Sequence, residues 1–381
     1  MSESSNIQNL SNAIQIIMGQ APPSKKCNRD GNGVPFVKVG EFSDVYPLIR
    51  EWTTLPLKLA SSSDILLCVV GATIGKINFG IECAIGRSVA AIRPIKNKLD
   101  QKYLFYFLSG KTDYLRSSSQ GAAQTVITKV MIGELEIPLP PLPEQQRIVA
   151  ILDDAFTKIE KAKANAEQNL KNAKELFESY LQGVFENKGD DWEEKTLGDI
   201  GKPSMCKRIL KNQTSSTGEI PFYKIGTFGK TPNAYISQEI YDEFRTKYSF
   251  PKKGDVLISA SGTIGRRVRY DGEPAFFQDS NIVWIDNDEK QVLNDYLYVF
   301  YEFCDWQPSK GATISRLYNS NLTSVKIAFP KSFKEQNKLL DKINILSIET
   351  KKLEVIYNQK IKDLEELKKS VLQKAFSGEL K

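Results

Sequence analysis

The sequence predicts an α+β chain that uses one building unit twice. Two mixed α/β globules stand in tandem repeat, separated by two long helices packed as an antiparallel coiled coil, with internal pseudo-two-fold symmetry. Three observations lead there: a repeat running the length of the 381 residues, short β-type runs broken by Gly and Pro in the larger part of each copy, and an amphipathic, helix-length stretch closing each copy.

The repeat keeps its order throughout. Pro35-Phe36-Val37-Lys38-Val39-Gly40 returns as Pro221-Phe222-Tyr223-Lys224-Ile225-Gly226. Asp64-Ile65-Leu66 and Thr73-Ile74-Gly75-Lys76 return as Asp255-Val256-Leu257 and Thr263-Ile264-Gly265-Arg266. Gly121-Ala122 and Ile137 with Pro140 return as Gly311-Ala312 and Ile327 with Pro330, and Glu144-Gln145 returns as Glu335-Gln336. The offset drifts only between 186 and 191, which marks a duplicated unit of about 190 residues.

Residues 1–143 form the first globule. Asp64–Val70 reads as a β-rich run in a globule with half-buried strands, and Tyr103–Leu108 as a short aromatic helix. Residues 144–187 hold no proline, and apolar residues at 148, 152, 155, 159, 162, 166, 170, 173 and 177 alternate steps of three and four, the spacing of a coiled-coil seam. Residues 188–333 repeat the globule, with Asp255–Ser259 and Tyr296–Tyr301 as the matching strand and helix, and residues 334–381 repeat the long helix. At about 1.5 Å per residue such helices reach roughly 65 Å and need an apolar partner, which the other copy supplies.

Composition narrows the function. The chain contains no histidine, which removes the commonest general base and zinc ligand together with every Ser-His or Cys-His pair. The five cysteines (Cys27, Cys68, Cys83, Cys206 and Cys304) are scattered without a C-x-x-C pair and read as reduced, structural thiols. No signal peptide is visible, and the longest apolar run, Ile65–Val70, is far short of the roughly 18 residues that span a bilayer. A cytoplasmic protein without membrane contact is expected. The net charge of +6 is compatible with nucleic acid but does not identify a binder.

The motifs then point to a family. Ile137-Pro-Leu-Pro-Pro-Leu-Pro-Glu-Gln-Gln-Arg-Ile148, Leu152-Asp153, Leu181-Gln182-Gly-Val-Phe185, Trp192-Glu-Glu-Lys-Thr-Leu-Gly-Asp-Ile200, the two Pro-Phe-x-Lys-x-Gly motifs and the two Thr-Ile-Gly motifs resemble, in order and over nearly the whole chain, the specificity subunit of type I restriction-modification systems. Two departures affect the boundaries: Asn9-Leu10-Ser11-Asn12 stands where a Trp-x-x-x-x-Leu-Gly opening would be, and the second Pro-rich run is reduced to Phe329-Pro-Lys-Ser-Phe-Lys-Glu-Gln336. The resemblance implies two target recognition domains, 1–143 and 188–333, that read the halves of a bipartite, asymmetric sequence in double-stranded DNA. The conserved spacer helices, 144–187 and 334–381, would set the spacing and dock two copies of an adenine-N6 modification subunit. That partner holds S-adenosylmethionine, a restriction subunit holds ATP and Mg, and this chain itself carries no catalytic residue, cofactor or metal.

The residues agree on the last point. Pro22-Pro23 and Pro140-Pro141 lack the following aromatic of an adenine methyltransferase turn, and Gly71-Ala-Thr-Ile-Gly75-Lys76 is one residue short of a phosphate loop and is followed by Ile77. Base readout calls for Arg or Lys on guanine, Asn or Gln on adenine, and Ser or Thr as adaptable partners. The candidates in the first globule are Ser24, Lys25, Lys26, Asn28, Arg29, Thr73, Lys76, Arg87, Gln120, Gln124 and Thr125. In the second they are Lys207, Arg208, Lys211, Asn212, Thr263, Arg266, Arg267, Gln278, Asn281, Lys310, Ser315 and Arg316. Lys38 and Lys224, each between β-type residues, fit a structural role equally well. The competing readings are an enzyme acting alone and a non-catalytic coiled-coil adaptor that binds only proteins.

Overall fold

The computed structural model describes residues 7–71, 73–118, 126–310 and 315–379. They form two compact units, one of residues 1–169 with 356–381 and one of residues 170–355.

Unit one opens with strands β1 (Ile7–Asn9), β2 (Ile14–Met18), β3 (Cys27–Asn28), β4 (Val34–Val37), β5 (Trp52–Thr53) and β6 (Leu59–Ala60). Strands β7 (Ile65–Cys68), β8 (Ile77–Phe79), β9 (Cys83–Ile85) and β10 (Val89–Pro94) follow. Helices α1 (Gln101–Gly110), α2 (Thr112–Ser118) and α3 (Lys129–Gly133), strand β11 (Glu136–Pro138) and the start of α4 (Leu142–Glu186) complete it. Unit two contains β12 (Trp192–Thr196), α5 (Leu197–Ile200), β13 (Gly201–Ser204), β14 (Ile220–Tyr223), β15 (Tyr235–Ile236), α6 (Gln238–Lys247), β16 (Val256–Ser259) and β17 (Arg267–Arg269). After these come β18 (Phe276–Phe277), β19 (Ile282–Asn287), α7 (Asn294–Phe300), β20 (Ser309–Lys310), β21 (Ser315–Arg316), α8 (Asn319–Ser324), β22 (Lys326–Pro330) and α9 (Phe333–Ser377).

The sheet orders repeat as the sequence does. Unit one has a β2-β10-β7-β8 sheet and a β1-β11 pair, and unit two has β13-β19-β16-β17 and β12-β22. In each, one parallel pairing, β4 with β9 or β14 with β18, carries the Pro-Phe motif. The tandem α+β reading is therefore borne out in these matching sheets, while the second sheet has five strands in unit one (β3-β5-β4-β9-β6) and three in unit two (β15-β14-β18).

The apolar runs explain the central strands. All four residues of β7 and all four of β16 are buried, so each strand is covered on both faces. Ile65 and Leu67 face a core shared with α1, whereas Leu66 and Cys68 face a second core against the other sheet. In unit two Val256 and Ile258 join Tyr296 and Phe300 of α7, while Leu257 packs with Phe222, Phe276 and Trp284. The second core in each unit supports the sheet whose rim carries the candidate residues.

The Thr-Ile-Gly motif is a hairpin turn. Gly75 and Gly265 adopt φ of +85° and +81°, and their amides donate to Cys68 O (2.8 Å) and Ser259 O (3.0 Å). A Cβ on Gly265 would lie 2.4 Å from Trp306 Nε1, so a side chain there is excluded twice over.

The long helices span 45 residues each and begin at Leu142 and Phe333, slightly before the expected 144 and 334. In unit one Lys163 pairs with Glu365 and Lys368 with Glu160, a register that runs α4 and α9 in opposite directions. Each helix start is fixed by a wholly buried glutamine. Gln145 Nε2 donates to Lys98 O (2.9 Å) and Pro140 O (2.8 Å), and its Oε1 accepts from the Asp100 amide (2.8 Å). Gln336 does the same with Gln291 O (2.9 Å), Pro330 O (2.8 Å) and the Leu293 amide (3.0 Å). This explains why the Pro-rich run can erode in unit two: only one proline carbonyl and the glutamine are needed. The missing Trp opening is tolerated on similar grounds, because Leu10 and Leu197 are both buried, with amides held by Leu135 O and Val325 O.

The two units treat one buried carboxylate differently. Asp64 is held by Arg93 through both guanidinium arms (2.7 and 2.8 Å). Asp255, its counterpart, lies near Asp286, the fifth residue of β19 where β10 has Arg93. Burial foremost, and then Asp286, raises the Asp255 carboxyl above its ordinary range. The folded chain thus binds this proton more tightly than the unfolded one. Unit two is expected to lose stability as pH rises from the ordinary carboxylate range through the raised value. Thermal melts against pH should show that slope, and Asp255→Asn should abolish it.

Candidate nucleic-acid interface

In unit one the candidates lie along the rim of the β3-β5-β4-β9-β6 sheet and in nearby turns. Ser24, Lys25 and Lys26 form an exposed 3-10 turn whose Lys26 O is held by the Thr54 amide (3.0 Å) and Thr53 Oγ1 (3.1 Å). Asn28 spends its side chain on its own loop: Oδ1 accepts from the Asp30 and Asn32 amides, and Nδ2 donates to Asn32 O (2.7 Å). Arg29 and Arg87 are exposed, and Thr73 sits exposed in the hairpin turn. Lys76 is half-buried, with Nζ donating to Phe42 O (3.4 Å). Lys38 reaches over Phe36 and is ion-paired to Glu51. Gln120, Gln124 and Thr125 lie outside the described residues.

Unit two gathers several candidates into one groove. Arg208, Lys211, Lys224, Gln278 and Asn281 line a concavity of about 270 Å³ together with Asp279. Its floor is the second core: Phe222 of β14 lies under Lys224, and the Cys206 thiol beneath the Arg208 loop is pushed by burial up to about 12 and is inert as a nucleophile. One wall is the turn after β18. The Gln278 amide donates to Tyr223 O (2.9 Å), continuing the parallel pairing, and Ser280 then takes a left-handed φ of +54°. Arg316 Nη2 holds that strained residue through Ser280 O (2.9 Å) and Oγ (2.7 Å).

Other candidates stand elsewhere. Arg267 pairs with Glu302 and lies 4.6 Å over Tyr298, Arg269 pairs with Asp295, and Arg266 Nη1 donates to Phe228 O (3.1 Å). Lys207 lies 4.7 Å over Tyr248. Thr263, Asn212 and Ser315 are exposed, Ser315 on the β20–β21 hairpin, where the Lys310 side chain is outside the described ones. Sequence reasoning left Lys224 open and passed over Thr214, which lines the groove, and Ser261, which bonds Asn281 beside it; the acid Asp279 was noted only as part of the turn 278–281. The signal for Lys224 was its recurrence over a phenylalanine in both copies.

Hydrogen-bonding capacity defines what the groove accepts. Asp279, its one carboxylate, is held by Arg208 Nε (2.9 Å) and is largely buried. Arg208, Lys211 and Lys224 leave the surface cationic and rich in donors, which suits phosphate oxygens and acceptor-bearing base edges. Among the described residues no three Cys, Asp or Glu side chains cluster in a way that could hold a metal, and no helix is long and apolar enough to cross a membrane.

Comparison with known proteins places this architecture. The family described as type I restriction modification DNA specificity domain matches twice, over residues 3–169 and 189–366. A Haemophilus influenzae chain assigned as a type I restriction enzyme specificity subunit is 39% identical over 349 residues, covering 89% of this chain and 87% of the relative. The MjaVIII specificity subunit of Methanocaldococcus jannaschii is 25% identical over 356 residues, covering 85% of this chain and 80% of that one. Among solved structures, a chain from work on complex assembly and conformational transition of the type I R-M system shares the fold with a TM-score of 0.79 at 18% identity, over 98% of both chains. The HsdS subunit from Thermoanaerobacter tengcongensis aligns with a TM-score of 0.64, also at 18% identity, over 98% of this chain and 97% of that one.

Proposed function

The chain belongs to the type I restriction modification DNA specificity family, its role is that of a DNA-binding specificity subunit, and from that premise we propose that its two units read the two halves of a bipartite, asymmetric site. The observation that carries the asymmetry is a pair of matched turns. Gly86-Arg87-Ser88 in unit one stands where unit two has Gln278-Asp279-Ser280-Asn281, on the same backbone bonds to β4 and β14. One frame with different polar groups is what two readers of different half-sites require.

The chemistry on DNA belongs to partners in this reading. A modification subunit, in two copies, binds S-adenosylmethionine and methylates adenine N6, a restriction subunit adds ATP- and Mg-dependent cleavage, and all work in the cytoplasm. In unit two α9 supports the docking role, because Ile345, Ile348 and Val355 share one helix face and are 54–70% exposed. Ile345→Glu with Ile348→Glu is expected to weaken co-purification of the modification subunit roughly ten- to a hundredfold while leaving the melting profile of the isolated chain unchanged. Normal co-purification would refute docking on this face.

A strand-resolved map of N6-methyladenine, in cells expressing the chain with its modification subunit, tests the recognition role. A single motif of two defined parts around a fixed gap is expected, and exchanging residues 188–333 for those of a relative should change one part only. If no new motif appears while that modification subunit works with another specificity chain, the protein-only adaptor takes its place.

A further inference from the structure

Backbone hydrogen bonds align the two rims residue by residue. The Phe36 amide donates to Glu51 O and the Phe222 amide to Ala234 O, both at 2.8 Å, so Ala234 occupies the place of Glu51. Lys38 is therefore neutralised by its acid, while Lys224, in the same position over its phenylalanine, has no ion pair among the described residues. Likewise the Gly86 amide bonds Val37 O and the Gln278 amide bonds Tyr223 O, both at 2.9 Å, so a glutamine side chain replaces a glycine. Unit two has gained a free ammonium and a carboxamide at neighbouring points of one rim.

The carboxamide is not free to read both ways. Its Oε1 accepts the Ile225 amide at 3.0 Å, and because a backbone N–H can only donate, the oxygen end is fixed there. Gln278 therefore turns its NH2 donors to the groove, and one of the two lone pairs of its oxygen is already spent. Ser261 Oγ engages Asn281 Oδ1 at 2.8 Å, and Arg208 holds Asp279. The usual pairing of glutamine with adenine needs an acceptor for the adenine N6 amine, and cytosine N4 needs one too. Each acceptor in the groove, Gln278 Oε1, Asn281 Oδ1 and Asp279 Oδ2, already takes a bond from the protein, whereas the Lys224 and Gln278 donors are the better supplied side. Guanine, whose O6 and N7 are two adjacent acceptors in the major groove, matches the donors of Lys224 and Gln278, which line the same concavity.

Resting on the reading of unit two as a DNA reader, we propose that Lys224 and Gln278 together recognise a guanine in the half-site read by that unit. The test uses the intact complex of chain and modification subunit and maps relative methylation over all sites. The half of the motif that changes on exchange of residues 188–333 should contain a guanine. Gln278→Glu keeps the acceptor for Ile225 while replacing the donors, and should lower methylation at sites with that guanine by about ten- to a hundredfold relative to sites altered at this one position. Lys224→Ala should lose discrimination at the same base pair, and every other position of the motif should stay as it was. A half-site without guanine overturns the assignment. So does a uniform, salt-sensitive loss across all sequences in either variant, which would make the groove a phosphate seat. Absence of any bipartite motif with the unaltered chain instead overturns the recognition reading, and this proposal with it.

Discussion

Gln145→Glu should unfold unit one some 10 °C earlier than the unaltered chain. The native side chain is fully buried and uses all three of its bonds on backbone groups: two carbonyls, of Lys98 and Pro140, and the Asp100 amide at the start of α1. A carboxylate can still accept from Asp100, but it turns two donors into acceptors facing two carbonyl oxygens. Each buried group left without its partner costs about 1–3 kcal/mol, so the total is about 3–5 kcal/mol, and a unit of this size melts about 2–4 °C lower per kcal/mol. Acidification should recover part of the loss, since a protonated carboxyl donates once. Gln336→Glu should act in the same way on unit two, through Gln291, Pro330 and Leu293. Calorimetry with hydrogen exchange at Asp100 and Leu293 reads both effects, and melting within about 2 °C of the parent would show that the glutamines do not fix the helix starts.

The second large effect is expected from Arg93→Met. Asp64 is wholly buried, and its two oxygens face the two arms of Arg93, with Oδ2 also accepting from the Ser61 amide (2.8 Å). Removing the guanidinium strands a buried charge at a cost of about 3 kcal/mol, at the lower end for such pairs because Arg93 is itself partly exposed. Adding Asp64→Asn should restore most of the loss, since the unpaired charge is then gone. Unit two offers the natural comparison: Asp286 stands where Arg93 would be, and Asp255 accommodates burial by a raised carboxyl and bonds from the Lys252 amide and Asn294. Urea unfolding of the single and double variants checks this, and a double variant no better than the single one would show that Arg93 acts by packing alone.

The site was partly legible in advance, and particular residues show where legibility stopped. Gln278 and Asn281 were picked out as candidates because they are amides at the place in the repeat that matches Arg87-Ser88. Their chemistry suggested an adenine-reading amide. The bond from the Ile225 amide, 53 residues away in the chain, spends one lone pair of the Gln278 oxygen and turns its NH2 to the groove. Arg267 and Arg266 looked like free cations next to the Thr-Ile-Gly motif, yet Glu302 with Tyr298, and Phe228 O, engage them in the fold. A sequence lists polar groups; it does not say which of their atoms are already spent.

The sequence by itself determined the duplicated α+β unit, the two long helices and the β-type runs that become the central strands. These rest on period and order, such as the consecutive apolar residues Ile65–Cys68 and Val256–Ile258 or a seam in steps of three and four, and such patterns are local properties of a chain. Only the tertiary structure decided which of the two units carries a free charge at this place on its rim. Lys38 and Lys224 are the same residue in the same motif, and they differ because strand pairing sets Glu51 beside one and Ala234 in that place beside the other. Pairing across a sheet joins residues by register, at distances along the chain that no motif records, and it is this register that turns two copies of one sequence into two different surfaces.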